Sequence, residues 1–165
     1  MRNMNKLNII SVIFSSLIIL TSCKGIYEDG NELANDLKCK QKKISVDELK
    51  AKIENGEDFL LLDVRQPDDY YTENIPGSIS LPRGVLEFKI NDEEFWASQY
   101  IYPPSKDSTE IIIYCKSEKR GILAAESLIQ LGYKNVKNLE GGYDAFNPNQ
   151  DPNAKPKKSS GGCGG

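Results

Sequence analysis

The residues best placed to do chemistry are Cys115, Lys116, Ser117, Glu118, Lys119 and Arg120, inside "IIIYCKSEKRG", Ile111 to Gly121. Four apolar residues end on a thiol, and a charged pentapeptide follows at once. A strand that ends on a cysteine presents it where parallel sheets meet their ligands. Three cations against the single carboxylate of Glu118 give the loop a net charge of +2. Such a loop favours an anion, and so do the N–H groups at the start of a following helix. A thiol in that field is expected to be largely thiolate near neutral pH. The chain has no histidine. That excludes a serine or cysteine nucleophile driven by a histidine base, and it excludes histidine-ligated zinc. The nucleophile must therefore be ionised already, or a carboxylate must act. This chemistry needs no cofactor and no metal.

The elements that must position Cys115 follow from the hydrophobic pattern. Ser45 and Glu48 form a capping-box pair that opens a helix through Val46, Leu49 and Ile53, ending at Asn55-Gly56. "FLLLDV" (Phe59–Val64) and "IIIYC" are continuous apolar runs of strand length, as in buried parallel strands. Residues 67–73 can form a short helix and 78–81 a second strand. The stretch 88–102 carries one or two helical turns with Trp96, which reads as packing, as do the tyrosines. From Gly121 to Leu131, Ile122, Ala125, Leu128 and Ile129 share one helical face, with Gly132 suited to the C-terminus. Residues 136–139 supply a last strand before Gly141-Gly142. Strands alternating with helices at this spacing predict an α/β domain. The expected fold is a single open, mostly parallel sheet of about five strands with helices on both faces. Asp63 ends one strand run as Cys115 ends another.

The 165 residues allow one ordinary domain and tails, and 39% hydrophobic residues suffice for its core. A net charge of −3 gives no reason to expect a nucleic-acid partner. Arg2 and Lys6 precede a 14-residue apolar run, Leu7 to Leu20, too short to span a membrane comfortably and suited to a signal peptide. Leu20-Thr21-Ser22-Cys23 resembles the lipobox of bacterial lipoproteins. The resemblance implies cleavage after residue 22, lipid on Cys23, and a protein anchored to a bilayer outside the cytoplasm, facing the periplasm or at the cell surface. The competing reading is a plain secretory signal with an incidental cysteine. Residues 23–43 read as the lipidated cysteine and a polar tether in which Cys39 is an incidental thiol. The domain proper is expected over 44–146. Residues 147–165, rich in Pro, Lys, Gly and Ser, read as a disordered tail. Of four cysteines, three remain beyond Cys23, so at least one stays unpaired in a monomer. Cys163 is either incidental or a mobile thiol that exchanges with Cys115. A flexible coil from Phe146 to Cys163 typically spans roughly 20–25 Å, enough to reach across a domain of about 13 Å radius of gyration.

Three linked motifs carry a family resemblance: "LLDVRQPDDYYTENIPGSISLP" (61–82), "IIIYCKSEKRG" (111–121) and "LEGGYDAF" (139–146). Together they resemble the rhodanese, or sulfurtransferase, family over about residues 44–146. The resemblance implies that Cys115 accepts sulfur as a persulfide and that residues 116–120 form the anion-binding loop. It places Arg120 with Cys115 in catalysis, and Asp63 and Arg65 as supports from the neighbouring strand end. The partners it implies are a small sulfur donor and a thiol or cyanide acceptor, with a protein acceptor also open. Two positions depart from the family pattern: Asn74 stands where a histidine is common, and Glu118 where glycine is common. An inward Glu118 would oppose anionic donors; an outward one would matter little. The alternatives are a sulfur or selenium carrier with little turnover, and a non-catalytic scaffold. Cysteine phosphatases and arsenate reductases are disfavoured, because Cys-x4-Arg is one residue shorter than the Cys-x5-Arg loop that fits a phosphate.

Overall fold

A computed structural model of the chain describes residues 25–151, 154 and 155. The expected signal peptide, Cys23 and Cys163 lie outside the described residues. In chain order the elements are α1 (Gly30–Lys38), β1 (Lys43–Ile44), α2 (Val46–Glu54), β2 (Leu60–Asp63), α3 (Pro67–Thr72), β3 (Ile79–Ser80), α4 (Leu86–Lys89), α5 (Glu93–Ser98), β4 (Ile111–Tyr114), α6 (Lys119–Gln130), β5 (Val136–Leu139) and α7 (Gly142–Phe146). The five strands form one sheet in the order β1-β5-β4-β2-β3, and every pairing is parallel.

Local chemistry explains why these elements begin where they do. Ser45 caps α2 through its hydroxyl, which accepts from the Glu48 N–H at 3.2 Å. Glu48 returns the bond by accepting from the Ser45 N–H at 2.9 Å. Pro67 opens α3, where its fixed φ suits the first helical turn. All four residues of β2 and all four of β4 are buried, as a sheet covered on both faces requires.

The alternation of side chains divides the core into two layers. On one face Leu60, Leu62, Ile111, Ile113 and Cys115 pack with Ala124, Ala125 and Leu128 of α6 and with Leu86, Ile90 and Trp96. On the other, Leu61, Ile112 and Tyr114 pack with Leu49 of α2 and Tyr143 of α7. Trp96 is core, its indole N–H donating to the Ile90 carbonyl at 2.8 Å. The register pairs Asp63 with Tyr114, so β2 and β4 end level and Asp63 stands beside the strand that delivers Cys115.

Three expectations need correction. Residues 30–38, expected within a polar tether, form α1, which packs on α6 through Ala34, Leu37 and Ile122. Its sequence is mostly polar because it buries only that narrow stripe, which a reading of average hydrophobicity misses. Ile129, expected on the buried face of α6, is 42% exposed, and Ala124 lies inward instead. Ile122 and Ile129, seven residues apart, lie on the same edge of α6, and the α1 residues Ala34 and Leu37 pack on Ile122. Asn147, placed in the disordered tail, donates through its side chain to Glu73 at 3.1 Å and belongs to the domain.

Candidate active site

Cys115 directly follows β4, at the carboxyl end of a central strand, and retains 1% exposure. Its sulfur accepts a hydrogen bond from the Gly121 N–H at 3.3 Å. The loop between them leaves the strand, turns over Lys116 and Ser117, both exposed, and enters α6 at Lys119. The N–H of Gly121, in the first turn of α6, is therefore the donor aimed at the sulfur. An anion on that sulfur sits at the positive end of a 12-residue helix.

Two glycines make this approach possible. A Cβ on Gly142 would stand 2.5 Å from the Cys115 carbonyl, 2.7 Å from that of Lys116 and 2.9 Å from the Glu118 nitrogen, and its φ is +62°. The cysteine loop lies directly against this backbone. The Tyr143 N–H donates to the Cys115 carbonyl at 2.8 Å, and the Asp144 N–H donates to the Lys116 carbonyl at 3.0 Å. The start of α7 thus clamps the start of the loop. A Cβ on Gly121 would meet the Asn138 side-chain oxygen at 2.0 Å. Asn138 is fully buried on β5, and its side-chain nitrogen lies 3.5 Å from the Glu118 carbonyl.

Asp63 and Arg65 form a buried ion pair beside the loop. The Arg65 guanidinium donates to both Asp63 carboxylate oxygens, at 2.7–3.1 Å, and to the Glu73 carbonyl at 2.6 Å. Its plane lies over the Tyr143 ring at 4.2 Å and the Tyr114 ring at 5.5 Å. Burial works against the Arg65 charge. The Asp63 hydrogen bonds and charge outweigh it and hold the guanidinium above its ordinary range. Arg65 is linked to the cysteine loop through Tyr143, whose ring it covers and whose N–H holds the Cys115 carbonyl, and its hydrogen bonds fall on Asp63 and Glu73. Tyr114 is pushed well above the ordinary tyrosine range, chiefly by burial and then by the Asp63 charge. Its hydroxyl accepts from the Ile75 N–H at 3.2 Å and pairs with Ser78 at 2.9 Å, so it remains a neutral hydrogen-bonding post.

Glu118 is buried, with φ +84°, a backbone conformation that glycine adopts freely. Its carboxylate pairs with Lys38 of α1 at 2.8 Å. Lys119 donates to the Asn31 side chain of α1 at 2.8 Å. Neither Lys116 nor Arg120 makes an ion pair among the described residues. With Glu118 matched by Lys38, the charges of Lys116, Lys119 and Arg120 are left to act on the site. Asn74 is exposed and donates to the Tyr70 carbonyl at 3.1 Å, away from the loop. Cys39 is exposed at the C-cap of α1.

Sequence reasoning therefore named the cysteine, its loop, Asp63 and Arg65, but missed the Asp63–Arg65 pairing, Lys38, Asn138 and the direct role of Gly142 and Tyr143. The "LEGGYDAF" motif contained the last two. The 80 residues separating Lys38 from Glu118 hide the first. A cavity of about 1180 Å³ lies at the opposite end of the strands beside Phe59, Gly77, Tyr102 and Asn135. It touches none of residues 115–121, so it is not the site of this chemistry.

Residues 45–149 match the rhodanese-like domain model. A putative mitochondrial thiosulfate sulfurtransferase of Schizosaccharomyces pombe is 36% identical over 86 residues, which are 51% of this chain and 60% of that protein. A putative sulfur carrier protein of Bacillus subtilis, YrkF, is 30% identical over 58% of this chain and 45% of its own length. The chain thus spans about half the length of these two relatives. The human single-domain sulfurtransferase TSTD1 superposes with a TM-score of 0.60 at 26% identity, covering 66% of this chain and 97% of the human one.

Proposed function

The chain belongs to the rhodanese-like domain family, and we propose that it is a membrane-anchored, extracytoplasmic sulfurtransferase working through a Cys115 persulfide. The observation that carries this reading is the placement of the Cys115 sulfur: at a strand end, 3.3 Å from the first-turn N–H of Gly121, inside a cationic loop. With thiosulfate as donor, the Cys115 thiolate attacks the outer sulfur. A new S–S bond forms, the old one breaks, and sulfite leaves with the bonding electron pair. The loop cations and the Gly121 N–H favour the anionic persulfide that results. An acceptor thiolate or cyanide then attacks the outer sulfur and releases Cys115 as thiolate, so the cycle closes with no external oxidant. Persulfides and polysulfides fit the same first step.

The test is mass spectrometry of the protein after thiosulfate or polysulfide treatment. The expected result is a gain of one sulfur mapped to Cys115, lost on adding cyanide. A protein that takes up no sulfur at Cys115 from either donor is not a sulfurtransferase. A second reading, a persulfide carrier serving a protein partner, is favoured by the likeness to the Bacillus carrier protein. Uptake of a single sulfur without multiple turnover in a thiosulfate–cyanide assay would decide for it.

Anchoring rests on the sequence Met1 to Cys23. Among the described residues no helix is long and apolar enough to cross a membrane. The anchor in this reading is the lipid on Cys23, which the lipobox-like Leu20-Thr21-Ser22-Cys23 supports, with the domain outside the cytoplasm.

A further inference from the structure

Helix α1 precedes the stretch that matches the rhodanese-like domain, which begins at residue 45, yet it is built onto the cysteine loop. Ala34 and Leu37 are buried against Ile122 of α6, with Leu33 and Leu123 beside them. Asp29 caps the helix by accepting from the N–H groups of Asn31 and Glu32 at 2.8 and 2.9 Å. Just beyond it, the Gln41 side chain donates to the Ile122 carbonyl at 2.8 Å. Both of its side-chain bonds to the loop fall on charged residues: Lys38 on Glu118 and Asn31 on Lys119.

Glu118 needs this attention. Its side chain is 11% exposed, so its carboxylate is largely removed from water. A carboxylate so buried is unfavourable without a cation. Its backbone is also in a conformation that only glycine adopts without strain. The Glu118 hydrogen bond and charge in turn hold the Lys38 ammonium above the ordinary lysine range. Three residues after the nucleophile, an unmatched Glu118 would subtract from the positive field that an anionic donor meets.

We propose that α1 is a working part of the cysteine loop, in which Lys38 is a positioning and specificity residue. It holds the Glu118 carboxylate in an ion pair and so keeps the loop selective for anionic sulfur donors. This inference rests on Cys115 being the sulfur acceptor, but its test does not require sulfur transfer. The full chain is alkylated with iodoacetate, which is anionic, and with iodoacetamide, which is neutral and similar in size. Modification at Cys115 is followed by peptide mapping.

Lys38→Met is expected to lower the iodoacetate-to-iodoacetamide rate ratio by about threefold or more at low salt, and by less at high salt. Lys38→Arg keeps the wild-type ratio, and Glu118→Gln added to Lys38→Met restores it. Lys40→Met removes the same charge from the Asp36 pair on the solvent side of α1 and leaves the ratio unchanged. In thiosulfate turnover, Lys38→Met raises KM with a smaller change in kcat. A wild-type ratio in Lys38→Met overturns the proposal. So does equal slowing of both reagents, or a double variant whose ratio stays as low as that of Lys38→Met. Failure of the wild-type protein to accept sulfur would instead overturn the proposed function, and the alkylation ratio would still report the field at the thiol.

Discussion

At the scale of single residues, the site depends on backbone geometry as much as on the thiol. Cys115→Ser is expected to abolish sulfur loading while leaving the melting temperature close to wild type, because a hydroxyl is far harder to ionise than a thiol. Loading assayed by mass spectrometry, beside a thermal melt, checks both halves. Gly142→Ala attacks the same function from the other side. Its Cβ would meet two carbonyl oxygens and an amide nitrogen of the cysteine loop at 2.5–2.9 Å. None of these is a flexible side-chain tip, so the loop or α7 must move. Strain at the positive φ adds about 1–3 kcal/mol. A lower denaturation midpoint together with slowed loading is the expected outcome, and wild-type behaviour in both would show that the clamp is dispensable. Arg120→Ala is expected to slow loading from thiosulfate about tenfold with small effect on stability, since the residue makes no ion pair among the described residues.

At the scale of elements, the contacts that matter join pieces distant in sequence. Helix α1 is attached to α6 by a small apolar stripe, and Leu37 is 6% exposed within it. Leu37→Asp removes roughly 2 kcal/mol of apolar burial and adds a desolvated charge. The expected result is rapid amide exchange across residues 30–38 and weaker thiosulfate binding, with the rest of the domain still folded. Exchange as slow as in the wild type would mean that α1 is held by something else. Glu110, next to β4, links α2 and β5 through Lys52 at 3.1 Å and Lys137 at 2.7 Å. Burial raises its pKa, but the hydrogen bonds and charges of Lys137 and Lys52 outweigh burial and hold it below the ordinary 4.5. A lowered folded value means that this contribution is complete above pH 4.5 and disappears as pH falls through the folded value. Glu110→Gln is therefore expected to lose stability near neutrality, and its difference from wild type to shrink as pH falls below 4.5, as urea midpoints across that range would show.

At the scale of the whole molecule, the proposed anchor predicts that the mature chain begins at Cys23 and carries lipid there. Metabolic labelling with a fatty-acid analogue checks it: label is expected in the wild type and absent from Cys23→Ala, and a soluble form that begins elsewhere without label would remove the anchor. The sequence by itself determined the fold class, because the strand-length apolar runs 59–64 and 111–115 alternate with helical patterns, the arrangement of a parallel sheet covered by helices. It also singled out the candidate nucleophile, since the chain has no histidine, ends a core strand on a thiol and follows it with Lys116, Lys119 and Arg120. Asp63 and Arg65 were legible from their shared motif, whereas their pairing with each other emerged only from the folded chain. Only the tertiary structure decided how the loop is held. The contacts of Gly142 with the Cys115 carbonyl, of Asn138 with the Glu118 carbonyl and of Lys38 with the Glu118 carboxylate span 20 to 80 residues. A local pattern of hydrophobicity and charge carries no information about which distant segment packs there. The sequence left open whether Glu118 faces the site or solvent. The folded chain turns it toward a helix that the sequence had disguised as a tether, because a stripe as narrow as Ala34 and Leu37 is enough to dock α1 but too little to announce it.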